Sequence, residues 1–377
     1  MEGLGIELIE AISMVNKILI EDLEYIRQGL GKSEIKWFNG TTVLITGCAG
    51  FLGFYLTQFL LHYIDYFKIK SLIGIDNFKL GRPEWLSGLV GKYKDKIKIY
   101  PFDIAKNCVS DIVNLSRAKV VIHMASIASP TFYRKYPLET IDANVWGLRK
   151  LLDYYCKFKD VKGFLFFSSS EVYGDPFSNF IPTTEDYRGN ALSIGPRACY
   201  DESKRFCETL CYVFANQYGL PIVIVRPFNN YGPGMKLNDR RVPADFAKAV
   251  LENKDIIIYS DGMPTRTFCY VADAMIGFLK ALTFGRFEYF NIGIARPEIS
   301  IKQLAQIYLK KGRKVMGYTG NIKFDKPSEK NYLKDNPQRR CPDIGKAKRL
   351  LNYNPEIEVE EGVERFLKFI EINKGKL

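Results

Sequence analysis

Short apolar runs alternate with longer amphipathic segments between Thr41 and Pro227. Apolar and β-branched runs predict strands at 42–46, 70–75, 97–100, 119–123, 163–168 and 221–226. Apolar residues at helical spacing occupy most of the intervals between these runs. Strands that alternate with helices are typical of a doubly wound parallel sheet, so the fold class is predicted to be α/β.

The rest of the chain follows a different pattern. After Pro227 the alternation becomes irregular, with loops rich in glycine, proline and asparagine and helices predicted at 243–252, 301–311 and near 360–372. This change predicts a smaller carboxyl-terminal lobe over 227–377, and part of 268–293 is expected to join the main domain over 41–226.

Residues 1–40 precede the first predicted strand and predict an amphipathic helical extension. Its apolar residues at helical spacing are Ile6, Leu8, Ile9, Ile12, Met14, Val15, Ile18 and Leu19. A second helical segment, Leu23–Leu30, ends at Gly31. The pattern favours a role in packing or oligomer formation over a chemical role.

Composition restricts the possible function classes. With 377 residues and 47% apolar content, the chain is long enough for one sizeable core and a smaller lobe. No apolar run approaches the roughly 20 residues that span a bilayer, so no membrane role is predicted. The amino terminus carries Glu2, Glu7 and Glu10 and lacks a basic segment, which argues against a secretory signal.

Cysteine usage and charge predict a cytoplasmic protein without a metal site or a nucleic-acid partner. The eight cysteines are scattered without a CxxC pair, and the histidines are His62 and His123, so no metal site is predicted. The net charge of +12 is spread among acidic residues, which favours a solvated surface over nucleic-acid binding. A mild attraction for an anionic substrate is compatible with this charge.

The most informative stretch is TTVLITGCAGFLGF, Thr41–Phe54. An apolar strand runs into Gly47, Gly50 and Gly53, and a helical pattern follows. Glycines let the chain turn tightly and approach a phosphate, while the free N–H groups and the dipole at the helix amino end favour negative charge. The stretch therefore predicts the pyrophosphate loop of a dinucleotide site.

Acidic residues follow the second and third predicted strands. Asp76 can accept hydrogen bonds from both hydroxyls of an adenosine ribose and would repel a 2′-phosphate, which predicts NAD rather than NADP. Asp103 can either hold the adenine edge or cap a helix, and the sequence leaves both possibilities open.

Tyr200 and Lys204 lie on one face of a predicted helix that opens with YDESK. A nearby ammonium favours the phenolate and would lower the pKa of the tyrosine from about 10 toward neutrality. A base of this kind can remove a hydroxyl proton while a hydride is transferred. The pair therefore predicts oxidation of an alcohol.

A second set of polar side chains ends the predicted strand in FFSSSEVYG, 166–174. It lies at the carboxyl edge of the sheet, where ligands of open α/β folds bind. Ser169 is predicted to share a hydrogen bond with the substrate oxygen that Tyr200 deprotonates. Glu171 can serve as acid, base or positioning group, and Ser168 is predicted to cap the strand end.

Together these features resemble the extended short-chain dehydrogenase/reductase superfamily over about residues 41–370. His123–Pro130, HMASIASP, is similar to its cofactor-floor motif, and Asn144 lies in the helix that follows. Within the family, four stretches resemble the UDP-glucuronate decarboxylase branch: SSSEVYGDP (168–176), CYDESKR (199–205), RPFNNYGPGMKLNDRRV (226–242) and RRCPDIGKAKRLL (339–351). The resemblance implies a Rossmann-type sheet, a nucleotide-sugar substrate, and NAD that is recycled within each turnover.

The resemblance also implies roles for individual residues. Tyr200, Lys204 and Ser169 would drive oxidation at C4 of the sugar, while Ser170 and Glu171 would handle the C5 carboxylate. The implied cofactor contacts are Gly47, Gly50, Phe51, Leu52, Gly53, Asp76, Asn77, Asp103, Ile104, Ala125, Tyr200 and Lys204. The implied substrate contacts are Ser129, Asn229, Arg241 and Arg266, so 41–226 would bind NAD and 227–377 would bind most of the nucleotide sugar.

Three other functions remain open on the sequence. A nucleotide-sugar 4,6-dehydratase begins with the same oxidation, but it usually has an Asp-Glu pair where this chain has Ser170-Glu171. A C4 epimerase would leave Glu171 unexplained. A non-catalytic dinucleotide sensor would need neither Tyr200 nor Lys204.

The family resemblance further implies a homodimer that pairs through the Tyr200 helix and the helix after Asn144. Apolar positions on the Tyr200 helix are available for core or partner packing: Phe206, Leu210, Val213 and Phe214.

Overall fold

A computed structural model describes residues 17–327 and 331–374. Within these ranges the strands are β1 Thr42–Thr46, β2 Ser71–Asp76, β3 Ile97–Pro101, β4 Ala118–His123, β5 Gly163–Phe167, β6 Ile222–Pro227, β7 Asn230–Tyr231, β8 Ile256–Ile258, β9 Thr265–Arg266, β10 Cys269–Tyr270, β11 Glu288–Ile292, β12 Ile299–Ser300, β13 Ile322–Phe324 and β14 Arg339–Arg340. The six strands predicted from the apolar runs correspond to β1–β6, with ends that differ by at most one residue.

The helices of the same ranges alternate with the strands through the first part of the chain. They are α1 17–28, α2 Lys32–Trp37, α3 Phe51–His62, α4 Glu84–Lys92, α5 Pro130–Lys135, α6 Pro137–Ile141, α7 Gly147–Tyr155, α8 Ala198–Tyr218, α9 Val242–Leu251, α10 Val271–Leu282, α11 Ile301–Met316, α12 Gly345–Leu351 and α13 Val359–Ile372. A π-helical turn, Asp142–Trp146, joins α6 to α7. None of the helices in the described part of the chain combines the length and apolar character needed to cross a membrane.

The central sheet runs in the order β11-β6-β5-β4-β1-β2-β3, with all neighbours parallel. The doubly wound Rossmann-type fold predicted from the sequence is thereby confirmed. The strand order reverses between β1 and β4, and ligands of open α/β sheets bind at such a switch point. The edge strand β11 comes from far along the chain. It follows α10, and that helix packs against it.

Hydrophobic cores lie on both faces of the sheet. Successive side chains of a strand point to opposite faces, and β1 follows this rule: Val43 and Ile45 pack into one core and Leu44 into the other. The first core also contains α3, α10 and α13, and the second contains α7 and α8. Both faces are therefore covered, as parallel sheets require.

Helix α1 packs into the first core through Leu19, Leu23 and Ile26. Its Asp22 is fully buried, accepts hydrogen bonds from Tyr55 Oη at 2.7 Å and Tyr270 Oη at 2.6 Å, and pairs with Arg365 at 2.9 Å. These contacts attach the extension to α3, α13 and the start of α10. The predicted apolar positions Ile6 to Val15 lie outside the described residues.

Candidate active site

A continuous cleft of about 1070 Å³ opens at the carboxyl edge of the sheet. Its floor is built by the ends of β1, β2, β4 and β5, and its opposite wall by the segments around β7, β9 and β14. Every residue that the sequence predicts for the cofactor, the substrate or catalysis lines this cleft. The topology thus brings together segments that are up to about 290 positions apart in the chain, from Gly47 to Arg340.

The glycine loop forms one end of the cleft. Gly47 has φ +71°, and a Cβ there would lie 2.9 Å from the backbone nitrogen of Ala125. A Cβ on Gly53 would lie 2.5 Å from the carbonyl oxygen of Cys48, so α3 packs closely against the loop. Gly50 is the N-cap of α3, which leaves the amino end of the helix open toward the cleft.

Asp76 ends β2 beside this loop. Its carboxylate accepts hydrogen bonds from the backbone N–H of Ala49 at 3.1 Å and of Phe78 at 2.8 Å. Burial raises its pKa above the ordinary value, and these two bonds oppose the shift. Asp103, one strand further, accepts from Ala105 N–H at 3.0 Å and also lines the cleft, so it closes a local turn there.

His123 supports the floor of the cleft. Its Nδ1 lies 2.7 Å from Thr46 Oγ1, which also accepts from the backbone N–H of Met124 and Ala125. Burial lowers the pKa of His123 to about 3, so the imidazole is neutral. The residue ties β1 to β4 at the switch point and does not face the cleft.

Tyr200 and Lys204 lie side by side on α8, against the end of β5. Tyr200 is 5% exposed, and its ring stacks on that of Tyr133 with centroids 5.1 Å apart. Burial raises the pKa of Tyr200 to about 12, although a hydrogen bond with Ser169 opposes the shift. Lys204 Nζ donates to the carbonyl of Phe167 at 2.8 Å, and burial lowers its pKa to about 8.

The expected effect of Lys204 on Tyr200 is therefore not met in this structure. The spacing predicts a lowered tyrosine pKa, but the pKa is raised because the phenol is buried. Lys204 Nζ donates to the Phe167 carbonyl instead of to the phenol. Lys204 Nζ lies 5.8 Å from the centroid of the Tyr200 ring. The helix does place both side chains in the cleft, as predicted.

Glu171 is held between two arginines. One carboxylate oxygen accepts from Arg197 Nη2 and the other pairs with Arg340 Nη1. Burial would raise the pKa of Glu171, but the charges and hydrogen bonds of these arginines outweigh it and hold the pKa at about 2. Arg340 also donates to Ser170 Oγ at 3.3 Å and to the Gly174 carbonyl at 2.8 Å.

Arg197 extends this cluster to both sides. Its Nη1 donates to Asn336 at 2.7 Å, and its Nε lies 3.6 Å from the buried carboxylate of Asp201. Burial and the charge of Glu171 raise the pKa of Asp201. The cluster therefore places two guanidinium groups around the Glu171 carboxylate on the cleft side of α8.

The predicted substrate residues are held by protein partners. Arg241 makes a two-point contact with Asp239, whose backbone carbonyl accepts from Ser129 Oγ. Asn229 donates to the carbonyl of Thr267 at 3.0 Å. Arg266 donates to the carbonyls of Thr265, Pro337 and Gln338, and burial beside Arg340 lowers its pKa to about 10. Their geometry is thus fixed before any ligand binds.

This arrangement of glycine loop, strand-end acid and YxxxK helix coincides with a known family. The sequence model of the NAD dependent epimerase/dehydratase family matches residues 43–293. The chain belongs to this family. The resemblance drawn from the sequence is confirmed, and so is NAD as the cofactor.

Individual members of the family give further comparisons. UDP-glucuronic acid decarboxylase 1 from Xenopus tropicalis is 34% identical over 327 residues, 87% of this chain and 71% of that protein. The UDP-glucose 4-epimerase structure from Thermotoga maritima has 26% identity and a TM-score of 0.74, over 88% of this chain and 98% of the other. The UDP-glucuronic acid 4-epimerase of Bacillus cereus, solved with UDP-glucuronic acid and NAD, has 27% identity and a TM-score of 0.72 over 88% and 99%.

As a member of the NAD dependent epimerase/dehydratase family, the chain presents groups that fit NAD. The glycine loop provides close backbone approach at an open helix end, and the Asp76 carboxylate lies beside it. Tyr200 and Lys204 lie further along the same cleft.

Two residues of this site, Arg197 and Arg340, were not predicted from the sequence. Arg197 lies three positions before Tyr200, and Arg340 belongs to the RRCPDIG stretch, but neither received a role. Both touch Glu171. The place of Arg340 in a recognisable stretch was a signal, whereas Arg197 lies just before the CYDESKR stretch and gave none. The convergence of both on one carboxylate requires the fold.

Proposed function

We propose that the protein decarboxylates UDP-glucuronate through transient oxidation at C4 of the sugar. The observation that carries the proposal is the cluster of Arg197, Glu171 and Arg340 beside Ser169 and Tyr200. It combines an alcohol-oxidising group with two guanidinium groups in the wall of the cleft, which can attract a sugar carboxylate. The decarboxylase relatives at 33–34% identity support the same assignment.

Tyr200 and Ser169 would act on the C4 oxygen. Bound NAD supplies reversible hydride acceptance at C4. Tyr200 in its phenolate form takes the C4 hydroxyl proton, and Ser169 holds the C4 oxygen by a hydrogen bond. Lys204 Nζ, 5.8 Å from the centroid of the Tyr200 ring, would supply the positive charge nearest to this base along α8.

The product of this step is a ketone β to the C5 carboxylate. Carbon dioxide can then leave while its bonding electrons pass into an enolate whose oxygen faces Tyr200 and Ser169. Both hydroxyls can donate hydrogen bonds to that oxygen, which lowers the barrier where negative charge develops. A proton from solvent adds at C5, the hydride returns to C4, and Tyr200 returns its proton to the C4 oxygen, which completes a redox-neutral cycle.

Glu171 would be a positioning group in this reaction. A carboxylate whose pKa is held at about 2 by two arginines is a weak base and carries no proton to donate near neutral pH. A dehydratase needs proton transfers at C5 and at the leaving hydroxyl, and Ser170 stands where its usual acid would be. The pairing of Glu171 therefore favours decarboxylation over loss of water.

A second candidate is C4 epimerisation of UDP-glucuronate. The observation that favours it is the similarity to the Bacillus cereus epimerase solved with UDP-glucuronic acid and NAD. Both reactions use the same oxidation and the same substrate, and they differ in whether carbon dioxide leaves the ketone.

The test is incubation of the purified protein with UDP-glucuronate, UDP-glucose and dTDP-glucose, followed by mass analysis of the products. We expect loss of carbon dioxide from UDP-glucuronate alone. An isomer of unchanged mass would establish the epimerase instead, and loss of water from a neutral hexose would establish a dehydratase.

We also propose that the protein forms a homodimer through α8 and the π turn before α7. Three large side chains along this surface are strongly exposed: Trp146 at 56%, Phe206 at 51% and Tyr212 at 55%. Phe214, in contrast, is buried in the protein's own core. Phe206→Glu should convert a dimer to a monomer in light scattering, and a monomeric unaltered protein would refute the proposal.

A further inference from the structure

The connection between β2 and α4 lies along the mouth of the cleft. Residues 77–82, here called the strap, follow directly after Asp76. Asn77, Lys79, Leu80 and Gly81 line the cleft, while much of the strap is exposed on its outer side. The strap is therefore a thin cover beside the groove that holds the glycine loop.

One side of the strap is attached to α6. Lys79 Nζ pairs with Glu139 Oε1 at 2.6 Å and lies 4.2 Å from the ring centroid of Tyr136. Glu139 also lines the cleft. The ion pair and the cation–π contact thus join two segments that are 60 positions apart in sequence.

The other side of the strap is attached to the substrate lobe. Lys236 Nζ, from the segment between β7 and α9, donates to the carbonyl of Leu80 at 2.5 Å. Lys236 is also attracted by the charges of Asp76 and Asp239. The strap therefore contacts elements on both sides of the cleft, α6 on one side and the segment before α9 on the other.

The backbone of the strap fits this bridging shape. Phe78 has φ +52° and donates its N–H to Asp76, and Gly81 has φ +92°. A left-handed conformation at Phe78 is uncommon for a bulky residue and persists only where surrounding contacts hold it. The side-chain bridges and the Asp76 bond are such contacts.

We propose that the strap retains NAD in the cleft, and that Lys79, Glu139 and Lys236 are positioning residues that hold it closed. NAD lying along the glycine loop and Asp76 would pass beneath this cover, so release requires one of the bridges to open. Retention suits an enzyme whose cofactor is reduced and reoxidised within a single turnover. Escape of the reduced cofactor would leave the oxidised sugar without its reductant. The inference rests on NAD binding and does not depend on which sugar is used.

The test measures cofactor release without any sugar. Protein loaded with NADH is mixed with excess NAD, and the loss of bound-NADH fluorescence gives the release rate. We expect Lys79→Met and Glu139→Gln each to release NADH roughly three- to tenfold faster, as breaking an exposed ion pair with a cation–π contact predicts. The double variant should be no faster than Lys79→Met alone, and Lys236→Met should add an independent increase.

Glu139→Gln decides between the strap and a simpler role for Lys79. If Lys79 only attracted the cofactor phosphates, removal of its acidic partner would leave release unchanged or slow it, and the proposal would be overturned. Lys96→Met is the matched control because its partner Asp65, 3.3 Å away, lies outside the cleft. Acceleration by that control equal to Lys79→Met would also overturn the proposal. Failure of UDP-glucuronate turnover would leave these release rates interpretable.

Discussion

Two carboxylates of this protein, Asp22 and Glu171, each pair with arginine, but their pKa values are shifted in opposite directions. Asp22 is fully buried between α1, α3 and α13, with two tyrosines and one arginine as partners. Glu171 lies at the wall of the cleft with Arg197 and Arg340. Burial dominates at Asp22 and raises its pKa to about 6, whereas the arginines dominate at Glu171 and lower its pKa to about 2.

The opposite pKa shifts show how a second arginine affects a buried carboxylate. Neutral hydroxyl donors stabilise a carboxylate, but they do not offset the loss of hydration as two full charges do. Asp22 therefore fastens the amino-terminal helix, with a pKa that is raised but still below neutrality. Glu171 is fixed as an anion, and it keeps two guanidinium groups in place at the wall of the cleft.

The largest expected effect comes from removing the reacting oxygen. Tyr200→Phe should lower kcat with UDP-glucuronate by roughly a thousandfold or more, because the Tyr200 phenolate is the proposed base. NAD content and thermal stability should change little. Tyr155→Phe is the control, since Tyr155 Oη is buried without a hydrogen-bond partner in the described structure and lies away from the cleft. Retention of most activity in Tyr200→Phe would contradict the shared oxidation step.

The next largest expected effect distinguishes Glu171 from Asp22 by their influence on kcat. Glu171→Gln keeps the shape but leaves Arg197 and Arg340 without their shared anion, and kcat should fall roughly a hundredfold, as expected when a fixed group beside the reacting centre is displaced. Asp22→Asn should leave kcat within about twofold because no part of its cluster lines the cleft. Steady-state kinetics on both variants provide the comparison. Equal losses would mean that Glu171 acts only through the fold.

Much of this architecture could be predicted from local patterns. The glycine loop, Asp76 and the Tyr200–Lys204 spacing are encoded within single strand–helix units, so their places in the cleft follow from sequence. The strand β11 was not predicted individually because EYFNI is a short edge strand with polar positions. The pairing of Glu171 with Arg340 could not be predicted because it joins segments that only the tertiary fold brings together.

The orientation of Lys204 shows a second limit. Helical spacing placed it beside Tyr200, but spacing does not indicate which acceptor an ammonium reaches. The Phe167 carbonyl at the end of β5 takes that role here. The extension shows a third limit, since amphipathicity predicted a packed helix without indicating that Asp22 would be its buried anchor.

The free energy of unfolding should depend on pH with opposite signs at Asp22 and at Glu171. The folded protein binds a proton at Asp22 more tightly than the unfolded chain, so this term lowers the free energy of unfolding as pH rises through the window from 3.8 to about 6. Its full size is about 3 kcal/mol for a shift of about two pKa units. The Glu171 term has the opposite sign and is lost as pH falls from 4.5 toward 2.

Urea unfolding of the unaltered protein and of Asp22→Asn at pH 4, 5, 6 and 7 measures the Asp22 term. As pH rises, the free energy of unfolding of the unaltered protein should fall relative to that of Asp22→Asn. A constant difference across that range would show that Asp22 does not titrate in the folded state.

The smallest expected effect is the loss of a single donor to Asp22. Tyr55→Phe removes the hydroxyl that donates to this carboxylate at 2.7 Å, while the ring keeps its place in the first core. Stability at pH 7 should fall by roughly 1.5–3 kcal/mol, the range for a hydrogen bond to a charged group. The loss should shrink at pH 4, where Asp22 is protonated and needs fewer donors, and kcat should stay unchanged. A loss that is equal at both pH values would mean that the hydroxyl serves packing, and that the charge of Asp22 plays no part in holding α1.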